Sequence, residues 1–97
     1  MEMSETFQIA YSLTGFNNEQ AISLYDEELK VHPNNIAAWG NRGLCKFQIA
    51  KEKSDKNLLE DSNADFKKAI EIMDKKGYSR PNIIDANLKL AEETFFK

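Results

Sequence analysis

A tryptophan and a glycine four residues apart, Trp39 and Gly43, place the strongest constraint on this chain. In a helix, residues at this spacing lie on one face, so a bulky side chain sits beside bare backbone. Pro33 lies upstream and disfavours a helical conformation at His32, so one helix ends there and another begins near Asn35. We therefore expect Gly43 to be a point of close contact with a neighbouring helix.

Apolar residues recur at three- and four-residue spacing along the chain, which is typical of amphipathic helices. The sequence predicts an all-α fold with five helices. Their predicted bounds are about 3–14, 18–31, 35–51, 55–76 and 81–97. Gly15 and Gly77 fit the ends of the first and fourth helices, and Asn17 fits the start of the second. Short connections favour antiparallel helical hairpins.

The segment 51–57 carries charges of both signs and no aromatic residue. We interpret it as a solvated loop, and the alternative is a frayed extension of a flanking helix.

Length and composition limit the class of protein. A chain of 97 residues forms one domain at most, and 41% hydrophobic with 30% charged residues is typical of a globular protein. The net charge of −3 does not favour a nucleic-acid partner. There is no apolar run of about 20 residues that would cross a membrane and no sign of a signal peptide. The single cysteine, Cys45, fits a reducing compartment, so we expect a cytoplasmic protein.

Residues for catalysis or metal binding do not cluster in the sequence. His32 is the only histidine, and Cys45 has neither a neighbouring base nor a helix N-terminus to activate it. We therefore expect no enzyme, no cofactor and no metal site.

The helices repeat along the chain. An offset of about 35 residues between helices one and three aligns Gln8 with Gly43. An offset of about 41 between helices two and four aligns Tyr25 with Phe66. The difference indicates an insertion in the second hairpin, over the segment 51–57.

These features resemble the tetratricopeptide repeat family. Its repeat of about 34 residues carries W-x2-L-G-x2-Y on one helix, A-x3-F on the next, and a closing proline. Trp39 and Gly43 match the first pattern, and Ala21, Tyr25 and Pro33 match the second. The chain departs from the first pattern at its Leu and Tyr places, which are Arg42 and Lys46.

The resemblance implies a single domain, 1–97, whose hairpins stack as a short right-handed superhelix. The first repeat would span 1–33, the second 34–76 with the insertion near 51–57, and a C-terminal capping helix 78–97. Because about three repeats are usual for a stable array, self-association into a homo-oligomer is a further hypothesis.

In this family, the first helices of stacked hairpins line a concave groove that holds a peptide or a partner helix. The resemblance therefore implies a protein-binding site formed by Thr6, Ile9, Leu13, Gly40, Asn41, Leu44, Phe47 and Gln48. Its apolar members suit an apolar segment or an amphipathic helix, and its amides can hydrogen-bond one. The alternative is that Leu44 and Phe47 pack under the fifth helix or the insertion.

Two functions follow as hypotheses. The first is a non-catalytic protein–protein interaction module, an adaptor or scaffold that binds a peptide or helix in the groove. The alternative is a small acidic inhibitor or immunity-type protein that neutralises a specific toxin or enzyme by surface binding. Both imply another protein as the partner, rather than a nucleic acid or a membrane.

Overall fold

The computed structural model describes residues 4–77, and this part of the chain is all helical, which confirms the predicted fold class. The helices are α1 (Glu5–Leu13), α2 (Asn18–Val31), α3 (Ile36–Lys53) and α4 (Lys56–Lys76). Each packs on the next, and α3 and α4 share the most extensive contact. The predicted fifth helix lies outside the described residues.

Side-chain caps explain where the four helices begin. Each N-cap side chain accepts a hydrogen bond from the backbone N–H three residues further on, which satisfies a donor that the helix itself cannot pair. These residues are Ser4, Asn17, Asn35 and Asp55. At the other ends, Gly15 and Gly77 adopt left-handed conformations with φ of 83° and 73°. Because these cap residues can be recognised in the sequence, most helix boundaries lie within two residues of their predicted positions.

The segment 51–57, expected to be a solvated loop, is mostly helical. α3 continues to Lys53, Ser54 closes it in a left-handed conformation, and Asp55 already caps α4. Lysines in the last turn of α3 suit the negative end of the helix dipole. The extra residues of the second hairpin therefore lengthen its helices, and two residues suffice for the turn.

Two hydrophobic cores lie on opposite sides of α3. The first joins α1, α2 and α3 and contains Phe7, Ala10, Ala21, Tyr25, Leu29, Ala38 and Cys45. The second joins α3 and α4 and contains Phe47, Ala50, Leu59, Phe66, Ala69 and Met73. Trp39 packs against both cores, and its indole N–H donates to the carbonyl of Pro33 at 2.7 Å. The Trp39 side chain thus attaches the turn between α2 and α3 to the two cores.

Gly43 is a point of close contact between α3 and α4, as its spacing from Trp39 predicted. A Cβ atom at this position would lie 3.0 Å from Phe66 Cε1 and 3.1 Å from Asp65 Cβ. These separations are shorter than carbon–carbon van der Waals contact. The absence of a side chain therefore lets the two helices pack together.

The 35-residue alignment of α1 with α3 matches burial at one pair of residues and not at another. Gln8, aligned with Gly43, is exposed. Ala10 is buried in the first core, and its aligned residue, Cys45, is buried in that same core. α1 has one buried face, whereas α3 needs two because it lies between a hairpin and α4.

Arg42 connects α2, α3 and α4. Its guanidinium donates to Asp65 from two nitrogen atoms and to Asp26 from a third, at 2.7 Å. It also lies 4.8 Å from the centre of the Trp39 ring, within cation–π range. Lys46 Nζ adds a second ion pair to Asp65 at 3.2 Å. The two residues that depart from the repeat pattern thus share one buried carboxylate.

Candidate protein-binding surface

The eight residues predicted to bind a partner lie on α1 and α3 and differ in exposure. Ile9 is 44% exposed, whereas Gly40 and Phe47 are buried. The remaining five are half-buried. We use the name α1–α3 surface for the six accessible residues, which are Thr6, Ile9, Leu13, Asn41, Leu44 and Gln48.

Packing against α4 accounts for the burial of Phe47, one of the two buried members of the predicted site. Phe47 is 6% exposed and belongs to the second core, and Leu44 packs against that core from its edge. Phe47 therefore packs against α4, whereas the alternative interpretation placed it under the fifth helix or the insertion. Its side chain is occupied by this contact, so we leave Phe47 and the buried Gly40 out of the surface.

A buried polar cluster lies beneath Asn41. The hydroxyl groups of Tyr25 and Thr14 are 2.7 Å apart, and the Asn41 side chain lies near the same phenol. Burial raises the pKa of Tyr25 to about 12, because the phenolate loses its hydration. A side-chain amide can donate two hydrogen bonds and also accept them. Asn41 therefore has hydrogen-bonding capacity for a ligand.

Gln48 links the surface to an open cleft. Its Oε1 atom accepts a hydrogen bond from Asn18 Nδ2 at 2.8 Å, and Asn18 Oδ1 accepts the backbone N–H of Gly15 at 2.7 Å. These three residues, with Lys51 and Glu52, line a cleft of about 420 Å³ between the α1–α2 turn and the last turns of α3. Within the described residues, the bond to Asn18 leaves the amide N–H groups of Gln48 as donors.

The sequence did not predict this cleft. Two of its lining residues, Lys51 and Glu52, lie in the segment interpreted as a loop, and Gly15 and Asn18 were considered only as helix-end signals. Had α3 been extended beyond Lys51 in the prediction, Lys51 and Glu52 would have been expected on the same helix as Gln48. The cleft is thus a product of tertiary packing between a turn and a distant helix end.

Further apolar side chains are exposed outside the α1–α3 surface. Tyr11 is 63% exposed, Phe16 91% and Val31 70%. They come from α1, the α1–α2 turn and the end of α2, respectively. Single exposed apolar residues are common on protein surfaces, so these three do not define a second site.

Across residues 4–77, no group of three or more His, Cys, Asp or Glu residues is arranged to hold a metal ion. Cys45 is fully buried, and burial raises the pKa of its thiol. In the same range, no helix has the length and apolar character needed to cross a membrane.

In comparisons with known proteins, no family model, curated protein or solved structure matched this chain. The functional proposal therefore rests on the chain's own residues.

Proposed function

We propose that this chain is a non-catalytic protein–protein interaction module whose hairpins stack in the manner of tetratricopeptide repeats. The α1–α3 surface binds a peptide segment or one face of a partner helix. One observation carries the proposal: Gln48 belongs both to this surface and to the open cleft. The predicted surface and the polar cleft therefore share one residue.

The composition of the surface supports a mixed apolar and polar ligand. Ile9 is the most exposed apolar member, and Leu13 and Leu44 are half-buried beside the two cores. Covering such side chains contributes about 25 cal/mol per Å² of apolar area removed from water. At the cleft, Gln48, Lys51 and Glu52 offer amide, ammonium and carboxylate groups to polar atoms of the ligand.

A pair of substitutions on α1 tests the proposal. Partners are first recovered by affinity purification with the intact chain, and their affinity is then measured by calorimetry with purified components. Ile9→Asp places a charge in the proposed contact and should weaken binding about tenfold or more. Tyr11→Asp is the matched control, because Tyr11 lies on the same helix, is 63% exposed and is outside the surface.

Equal affinities of the two variants for the partner would contradict the proposal. Binding that ignores Ile9→Asp but is lost on Tyr11→Asp would instead place the contact on the opposite side of α1. That second result, with a toxin or an enzyme as partner, would support the inhibitor or immunity-type alternative.

A further inference from the structure

The helix α1 differs from the other helices in how it is held. It has nine residues, of which only Phe7 and Ala10 are buried, whereas α3 and α4 have 18 and 21 residues. We infer that α1 opens as a separate unit, ahead of α3 and α4, and that its opening exposes the thiol of Cys45. This inference does not depend on the proposed function, although α1 carries Ile9 and its opening would disrupt the α1–α3 surface.

Hydrogen bonds to α2 hold both ends of α1. At its start, the Ser4 hydroxyl accepts the Phe7 N–H at 3.0 Å and donates to the buried carboxylate of Glu28. At its end, the Thr14 hydroxyl bonds the phenol of Tyr25 at 2.7 Å. The attachment of α1 thus combines a small apolar contact with two polar contacts that water can replace when the helix lifts.

Few buried apolar contacts are characteristic of segments that open locally, at a lower free energy than the whole fold. The α3–α4 pair has the larger contact and the second core, to which α1 contributes no residue. Opening of α1 therefore leaves that core intact.

The position of Cys45 connects this motion to an observable change. Its side chain is fully buried in the first core, which also contains Phe7 and Ala10 of α1 and against which Leu13 packs. α1 therefore contributes to the cover over this side chain. Lifting this segment admits solvent to the thiol.

Two N-cap substitutions test the inference on the full chain. Ser4→Ala removes the α1 cap and its bond to Glu28. Asp55→Ala is the matched control, because Asp55 caps α4 through the Leu58 N–H at 3.1 Å. Amide hydrogen exchange is followed by mass spectrometry, and alkylation of Cys45 by iodoacetamide is timed in the same buffer.

In the unmodified chain, we expect α1 amides to exchange faster than those in the middle of α3 and α4. Ser4→Ala should raise α1 exchange and Cys45 alkylation together, by about fivefold for the loss of one cap, with α4 exchange unchanged. Asp55→Ala should raise exchange at the start of α4 without changing alkylation. The inference is overturned by α1 exchange as slow as that of α3, or by alkylation that both variants raise equally.

Discussion

Asp65 on α4 accepts two parallel hydrogen bonds from Arg42 on α3, from Nε at 2.9 Å and from Nη2 at 2.7 Å. The carboxylate side chain is only 4% exposed, so both of its oxygens are held in a fixed geometry away from water. The third nitrogen of the same guanidinium reaches Asp26 on α2, whose side chain is 48% exposed. One cation thus has a buried partner and a solvated partner.

This difference predicts unequal effects of two isosteric substitutions. Asp65→Asn leaves Arg42 and Lys46 without their shared buried carboxylate and should lower the free energy of unfolding by about 3 kcal/mol. Asp26→Asn removes a partly solvated pair and should cost about 0.5 kcal/mol. Urea unfolding of both variants measures the two values. Equal losses would show that burial does not set the contribution of these ion pairs.

The contact at Gly43 predicts a graded loss of stability with side-chain size. Gly43→Ala places a Cβ 3.0 Å from Phe66, so the Phe66 and Asp65 side chains must shift, and we expect this cost to exceed the gain in helix propensity of about 1 kcal/mol. Gly43→Val adds two methyl groups and should cost about 3 kcal/mol. Thermal or urea unfolding measures the series. A variant with valine as stable as the unmodified chain would contradict the close contact.

Tyr25 predicts a loss of stability at alkaline pH. Its pKa is about 12 in the folded chain, against an ordinary value of 10.0. Between these two pH values, the folded state therefore binds more protons than the unfolded state. The free energy of unfolding therefore falls as pH rises from about 10 towards 12. Tyr25→Phe has no phenol to ionise and should lose less stability over this window. Urea unfolding of both proteins from about pH 9 to pH 11 measures the difference, and parallel curves would contradict the assignment.

The left-handed backbone conformation of Ser54 predicts that glycine at this position stabilises the fold. Ser54 is the only non-glycine residue with positive φ in the described part of the chain, at 54°. A left-handed conformation costs a residue with a Cβ about 1 kcal/mol, so Ser54→Gly should raise the free energy of unfolding by up to about that amount. Ser23→Gly, at an exposed position inside α2, should instead lower it by about 0.5 kcal/mol. Urea midpoints that move in the same direction for both variants would refute this explanation.

The sequence predicted the local structure better than the tertiary contacts. The bounds of α2 match the prediction because Asn17 is a cap and Pro33 follows the helix, and both act on neighbouring residues. The contact at Gly43 was predictable because only glycine leaves backbone bare. These features depend on residues that are close along the chain.

Long-range polar contacts were not predictable in the same way. Arg42 was noted as a departure from a repeat pattern, yet its partner Asp65 lies 23 residues away and has no marked sequence signal. The burial of Phe47 likewise depends on which side of α3 faces α4. A charged residue in a place usually taken by leucine was a sign that a buried counter-charge is needed, but not of its location.

The extra residues of the second hairpin also shape the surface of the described part of the chain. Because they continue α3 as helix, Lys51 and Glu52 form one wall of the cleft that faces Gly15 and Asn18. Neither residue belongs to a hydrophobic core. Substitution of these two side chains would therefore deepen or narrow the cleft while both cores kept their side chains. The length of one hairpin thus sets the dimensions of a surface depression independently of the packing that stabilises the fold.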